Sequence, residues 1–295
     1  MKCLNNTARL NRAANLLAAS EDHRVLRRLP PPTSNLVGNR PPDGTVCIAL
    51  LDVETTSLSP YTGKIIELAI LLAFMDEAGE IAAHLGPWSW LEDPGAPLSQ
   101  ETTAITGLTD TDVAGRAIDD ARVEALLGRA DWVAAHNAAF DIKWIDERYP
   151  QLRDKPWACS MAELPWQGWG YEGRGLQPLL WQHGLFSNAH RAGDDVWALM
   201  SLMTQRRADR IGDDRSYLSM LIENASSPSI RVEAHGAPYA AKDLLRERGY
   251  RWDANVRVWW KLVDLGELGA EEAWYRAEAL PRPRTSSVDA IRRYR

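Results

Sequence analysis

Cysteine is scarce in this chain: Cys3, Cys47 and Cys159 lie far apart, and no pair of them has the spacing of a disulfide framework or a zinc site. A fold stapled by disulfides is therefore excluded; free thiols in a reducing compartment are expected, with Cys47 in a strand core. Long apolar runs are also missing. No stretch of about eighteen uncharged apolar residues occurs, so nothing is long enough to cross a bilayer as a helix. A cytoplasmic location without membrane contact is the expectation. Met1 to Ser20 is basic but lacks the compact apolar stretch of a secretory signal, which leaves a mitochondrial presequence as a minor alternative. Positive charge is not in excess either. A net charge of −6 and a pI near 5.6 argue against a broad basic surface for gripping a polyanion. A local basic track is still compatible with these values, since Arg24, Arg27, Arg28 and Arg40 lie near the start and Arg282, Arg284, Arg292, Arg293 and Arg295 near the end. The last group reads more simply as a solvated tail. Internal repeats and low-complexity tracts are absent.

What is present is globular composition, 45% hydrophobic and 25% charged over 295 residues, enough for one sizeable core and a smaller second unit. Helical spacing of Leu10, Leu17, Val25, Leu26 and Leu29 predicts helix from about Thr7 to Leu29 with a break near Ser20. Pro30-Pro31-Pro32 and the segment through Gly38, Arg40 and Gly44 read as a stiff linker. Val46 to Val53 is a nearly continuous apolar run of β-formers, the pattern of a strand buried on both faces. Further strands are predicted at Ile65–Phe74 and Ile81–Leu91 around a hairpin turn at Asp76–Gly79. Helices follow near Ser99–Ile105 and Ile118–Leu127, then a strand at Trp132–Ala135, a helix at Ala139–Tyr149 and a strand around Trp157. Two more helices are predicted at Leu176–His183 and Asp194–Arg207. A strand meander followed by alternating helix and strand indicates an α/β fold, a mixed sheet with helices packed on it.

Three blocks carry chemistry. Asp52 and Glu54 stand two residues apart at the end of the first strand, so both carboxylates point to one face. Adjacent carboxylates repel unless a cation lies between them, and hard oxygen ligands select Mg²⁺ or Mn²⁺. The second block, His136 to Asp141, runs from strand into helix and puts Asp141 in a first turn, where the helix dipole alone would also favour an acid. The third, His190 to Asp195, opens a helix. Residues five apart on a helix diverge by about 140°, so His190 is expected in the preceding loop, free to lean toward Asp195. Taken singly, each block also fits a plain strand end, a helix cap or an exposed loop histidine.

Together and in this order they resemble the DEDDh family of DnaQ-like 3′→5′ exonucleases, which includes the proofreading epsilon subunit of DNA polymerase III, RNase T and oligoribonuclease. D-x-E-T-T matches Asp52 to Thr56, H-N-x-x-F-D matches His136 to Asp141, and H-x-x-x-x-D matches His190 to Asp195; coverage is roughly Thr45 to Arg210. His190 holds the histidine position, which disfavours the variant of the family with tyrosine there. The resemblance implies an RNase H-like fold and two divalent cations, Mg²⁺ or Mn²⁺, held by Asp52, Glu54, Asp141 and Asp195. It implies His190 as general base, and Thr55, Thr56, Leu58, His136 and Asn137 as contacts to the terminal nucleotide or its surroundings. The expected substrate is a nucleic acid with a 3′ end, DNA favoured over RNA. A non-catalytic subunit clamped to a polymerase or helicase is the alternative from another class, and the filling of all five catalytic positions argues against it.

Trp166, Trp169 and Tyr171 lie between the second and third blocks, where they either stack unpaired bases or cover the core. The division expected is a helical arm and linker over 1–44, an exonuclease domain over 45–210, and a linker, small Trp-rich α+β unit and basic tail over 211–295. In the last unit a helix ending at Gly249 and a hairpin turning at Asp253–Asn255 are predicted, with Trp252 and one of Trp259 or Trp260 buried. Arg251, Arg257 and Lys261 would line one basic strand face, serving either nucleic-acid binding or docking onto the exonuclease domain.

Overall fold

The computed structural model describes residues 2–35, 41–188, 190–207 and 214–295. The Cys3 side chain, Gly38 and Arg40 of the linker, and the expected boundary at Arg210 lie outside the described residues. The chain opens with helix α1 (Lys2–Ala18). Helix does not resume toward Leu29 as expected; Arg27–Arg28 forms a short strand, β1. Leu29 precedes a proline, which disfavours helical backbone, and the extended course lets the Arg27 and Leu29 N–H groups donate to the carbonyls of Gly184 and Phe186 at 2.8 and 2.9 Å. The prolines that follow are fastened down as well. Trp197 Nε1 donates to the Pro30 carbonyl at 2.8 Å, and the His84 N–H to Asn35 Oδ1 at 2.6 Å.

Strands β2 (Val46–Thr55), β3 (Ile65–Met75) and β4 (Ile81–Leu91) form the expected antiparallel meander. Its hairpin turn needs Gly79 at φ +80°, where a Cβ would also collide with Ser219. Next come α2 (Gln100–Thr106), capped by Ser99, then α3 (Asp110–Val113) and α4 (Asp120–Arg129). β5 (Trp132–Ala135), α5 (Ala138–Arg148) and β6 (Trp157–Cys159) follow, then α6 (Leu176–Gln182), β7 (Leu185–Phe186) and α7 (Ala192–Met203). The five-stranded sheet runs β4-β3-β2-β5-β6, with β2, β5 and β6 parallel, while β1 pairs with β7 in a separate two-stranded ribbon. This is the mixed α/β architecture expected.

Period-two alternation splits β2 between two cores. Ile48 and Leu50 face one layer with Val196 and Leu199 of α7; Cys47, Ala49, Leu51 and Val53 face the other with Ile142 and Ile145 of α5. Asp52 and Glu54 continue the Ile48–Leu50 row, so the strand's end turns both acids toward α7. Because β2 and β5 are parallel, the loop leaving β5 delivers the start of α5 to the same end of the sheet.

Past the expected division near 210, helix α8 (Tyr217–Ser226) buries Tyr217, Leu218, Leu221 and Ala225 in the same core as α7. Beyond it β8 (Ser229–Glu233), α9 (Lys242–Glu247), β9 (Arg251–Asp253), β10 (Val258–Asp264), α10 (Leu268–Ala277) and β11 (Arg284–Val288) build an α+β unit with sheet order β11-β8-β10-β9. Its core is Val232, Leu245, Tyr250, Val263 and Tyr275. Trp252, expected inside, is half exposed because β9 is an edge strand. Arg251, Arg257 and Lys261 do not share a face: Arg251 pairs with Trp260, the neighbour of Lys261, so alternation sends Lys261 to the opposite side, where it meets Glu271 at 3.4 Å. Arg257 lies in the hairpin turn. The basic tail is solvated only in part: Arg282, Arg284 and Arg292 are exposed, while the last residues are tied to the body. Arg293 is buried in an ion pair with Glu163, Arg295 pairs with Asp146 at 2.7 Å, and Trp157 N–H donates to the Ala290 carbonyl at 3.0 Å.

Candidate active site

Carboxylate oxygens of Asp52, Glu54 and Asp195 lie within 4.8 Å of one another, a spacing that one cation could bridge. The first two come from the end of β2 and the third from the first turn of α7. Asp141 approaches from the other side of the sheet, in the first turn of α5. It is buried and outside that trio, with Oδ1 accepting the Val53 N–H at 3.3 Å. Acids from three separate parts of the sequence thus meet at the carboxyl end of β2.

Their protonation records the crowding. Burial first, then the charges of Asp141, Asp195, Glu54 and Glu67, holds Asp52 well above the ordinary carboxylate range. Asp141 is also raised by burial, although N–H groups including that of Val53 pull it back. Glu54 is pushed up to about 7 by burial and by Asp195 and Glu67, with Arg191 opposing. Burial lifts Asp195 to about 6 against hydrogen bonds from the backbone of Arg191 and His190. Acids raised by desolvation and like charge are the state a divalent cation relieves, and a donor set made of carboxylate oxygens fits a hard divalent cation.

His190 lies where the motif spacing put it, in the loop before α7, exposed and with φ +63°. A positive charge on it would act to lower the pKa of Asp195, behind burial and the backbone hydrogen bonds. Around the cluster the expected contact residues divide. Leu58 is 85% exposed and free to meet a ligand. Thr55 Oγ1 donates to the Ser57 carbonyl at 2.7 Å, and Thr56 Oγ1 accepts the Lys64 N–H at 2.9 Å, so both hydroxyls shape the loop after β2. Asn137 caps α5 from a left-handed conformation, φ +89°, with its side chain exposed. His136 is engaged at both ring nitrogens. Its Nε2 lies 2.9 Å from the Arg174 carbonyl and its Nδ1 2.8 Å from Ser160 Oγ, so the ring has no nitrogen left for substrate. Burial lowers its pKa to about 4, consistent with a neutral ring that donates from Nε2 and accepts at Nδ1.

Two residues at the site were not foreseen. Glu67 sits opposite Glu54 across β2–β3, buried within a strand whose every residue is buried. It accepts from Ser89 Oγ at 2.8 Å, Arg191 Nε at 3.0 Å and the Ala192 N–H at 3.2 Å. An acid inside the apolar run Ile65–Met75 was the available signal, and Arg191, between His190 and Asp195, was its partner. The aromatic loop resolves toward the core: Trp166 is buried, and Trp169 and Tyr171 pack around Tyr217, with Trp169 stacked on it at 5.6 Å.

A mixed sheet with an acidic centre at the carboxyl ends of its parallel strands marks the class, an α/β nuclease whose cluster fits metal binding. The exonuclease family model (RNase T) matches residues 49–203, more than half of the chain, and the chain belongs to this family of DnaQ-like 3′→5′ exonucleases. It is 37% identical over 112 residues to the PolC-type DNA polymerase III of Listeria welshimeri, covering 37% of this chain and 7% of that protein. To the PolC-type enzyme of Bacillus subtilis it is 27% identical over 248 residues, covering 79% of this chain and 16% of that one. The chain therefore spans a small fraction of these polymerases' length. Among solved structures, the zinc-bound complex of E. coli ExoI with single-stranded DNA shares the fold at TM-score 0.51 and 14% identity, covering 84% of this chain and 66% of that one. Exonuclease X in complex with 5′-overhanging duplex DNA is similar at TM-score 0.42 and 22% identity, covering 58% and 99%. Among the described residues no helix is long and apolar enough to cross a membrane.

Proposed function

We propose that this protein hydrolyses the terminal phosphodiester at the 3′ end of a nucleic-acid strand, single-stranded DNA in preference to RNA, and releases nucleoside monophosphates. The observation that carries this reading is the convergence of Asp52, Glu54 and Asp195 oxygens within 4.8 Å, backed by Asp141. These four side chains would hold two divalent ions, Mg²⁺ or Mn²⁺. When bound, such ions stabilise charge on the attacking and leaving oxygens of an in-line displacement.

His190 accepts a proton from the attacking water, a role suited to an imidazole in the loop before the helix that carries Asp195. The water oxygen forms the new bond to phosphorus as the bond from phosphorus to O3′ breaks. The departing O3′ takes a proton from solvent and becomes the new strand end. Leu58, projecting from the loop after β2, offers apolar contact to the terminal base, and exposed Asn137 steadies the strand beside it. The DNA preference draws on the PolC-type relatives, which also make a DNA polymerase the partner class to test first.

End-labelled oligonucleotides with Mg²⁺ or Mn²⁺ test the proposal. A 5′-labelled strand should shorten stepwise while a 3′ label is released at once as a mononucleotide, and Asp195→Ala should abolish both. Undiminished trimming by Asp195→Ala would refute the assignment, and matched DNA and RNA strands in the same assay measure the preference.

A further inference from the structure

The C-terminal unit carries a second feature, away from the acids. Trp252 on edge strand β9 and Trp259 on β10 are register partners, so their side chains share a face, with ring centroids 5.6 Å apart. Between them and the loop from Ala234 to Tyr239 lies a cavity of about 220 Å³. Sites enclosing a whole drug-sized ligand measure roughly 300–1,000 Å³; this one suits a single planar ring. Two of its aromatic walls are open to solvent, Trp252 at 50% and Tyr239 at 82% exposed, while Trp259 packs partly against the unit's core.

The cations around it are arranged on those rings. Lys242 Nζ lies 4.6 Å from the Tyr239 ring centre, and the Arg246 guanidinium 5.9 Å from that of Trp259. Arg257 lines the cavity from the hairpin turn and is held at φ +54°, a left-handed conformation costly for a residue with a side chain. Nearby acids are already engaged: Asp243 pairs with Arg246 at 3.0 Å, and Asp253 accepts the Asn255 N–H at 3.0 Å and pairs with Arg231 at 3.4 Å. The face therefore presents aromatic surfaces edged by cations, the combination that grips unpaired nucleotides by stacking bases and neutralising phosphates.

We propose that the Trp252–Trp259–Tyr239 pocket is a base-stacking site for an unpaired nucleotide, with Arg257 and Lys242 meeting the flanking phosphates. The C-terminal unit is then a second hold on the single strand, distinct from the acidic centre. Stacking accepts any base, so the site adds affinity for longer strands without adding sequence preference.

The test is binding of fluorescein-labelled dT20 and U20 to the full chain in EDTA, read by anisotropy, beside cleavage of dT4 with Mg²⁺. Trp252→Ala should weaken binding roughly 5- to 10-fold, the loss of one stacked base, whereas Trp252→Phe should keep most of the affinity. Arg257→Glu, at an exposed turn that leaves the unit's core intact, should weaken binding and reduce the salt dependence by about one phosphate contact. Equal losses with dT20 and U20 would assign recognition to the base; a loss with one only would assign it to that sugar as well. Trimming of dT4 should match wild type in each variant. Wild-type affinity for both strands in Trp252→Ala, or in Arg257→Glu, overturns the proposal. Because binding is read without cleavage, a protein that binds through Trp252 but trims nothing would refute the exonuclease reading alone.

Discussion

Replacing Glu54 with Gln should make the metal-free protein more stable at pH 8 while ending its cleavage. Glu54 titrates at about 7 in the folded protein against 4.5 for the ordinary side chain, because burial, Asp195 and Glu67 all oppose its charge. A folded pKa above the unfolded value means that the folded state keeps the extra proton. That contribution to stability is complete below about pH 4.5 and is lost as the pH rises through about 7. Each tenfold change in proton affinity corresponds to about 1.4 kcal/mol, so holding the proton up to about pH 7 amounts to about 3 kcal/mol. Solvent screening of a side chain that is not fully enclosed reduces it to about 2 kcal/mol.

Gln has the shape of the protonated acid and does not titrate. The advantage of Glu54→Gln over wild type should therefore be under about 1 kcal/mol at pH 5 and about 2 kcal/mol at pH 8. Urea unfolding in EDTA at the two pH values measures it. Saturating Mg²⁺ at pH 8 should reverse the order, since wild type gains the binding free energy that the variant has forfeited. Equal stabilities of the two proteins at pH 8 in EDTA would refute the picture of an acid held against its charge.

Three further outcomes follow from the same geometry. His190→Ala should lower the trimming rate at pH 7 by roughly 10²- to 10⁴-fold, the range for a general base, while Mg²⁺ still raises the melting temperature. Because Asp195 and Glu54 titrate at about 6 and 7, protons compete with the cation below neutrality; a Mg²⁺ titration of activity should show the half-maximal concentration rising as pH falls from 8 to 6. Glu163→Ala leaves Arg293 buried without its partner, which should cost about 3 kcal/mol in urea unfolding, with the trimming rate per folded molecule unchanged.

Much of the exonuclease body was legible because β2 and β3 are apolar on both faces over most of their length and the other strands are bounded by turn residues. Ile81–Leu91 and Trp132–Ala135 fall on the expected bounds, and β2 and β3 exceed theirs by only two residues and one. The convergence of the acids was legible through spacing: two residues apart on a strand, and a histidine five before an acid where a helix must start. What escaped depended on tertiary partners. Tyr217, Leu218, Leu221 and Ala225 have helical spacing, yet the polar stretch ahead of them read as a linker, and only contact with the core beside α7 gives that helix its place. Arg293 and Arg295 looked like a solvated tail because nothing local reveals Glu163 and Asp146, more than a hundred residues away. His136 resembled a substrate contact, but Ser160 and the Arg174 carbonyl occupy its ring.

The position of Glu67 explains how α7 can be held where it is. Asp195, in that helix's first turn, is driven against Asp52 and Glu54, and without a cation this contact is repulsive. Three residues earlier the Ala192 N–H and the Arg191 guanidinium both bind Glu67, one strand over from Glu54. A charge buried in β3 would be costly alone, but here it is matched by a cation and by an N–H at a helix start, where the dipole favours an anion. Attraction through Glu67 thus anchors the end of the helix that repulsion at Asp195 would push away. A cation binding between the acids would then require little movement of the backbone, because the helix is already docked through Glu67.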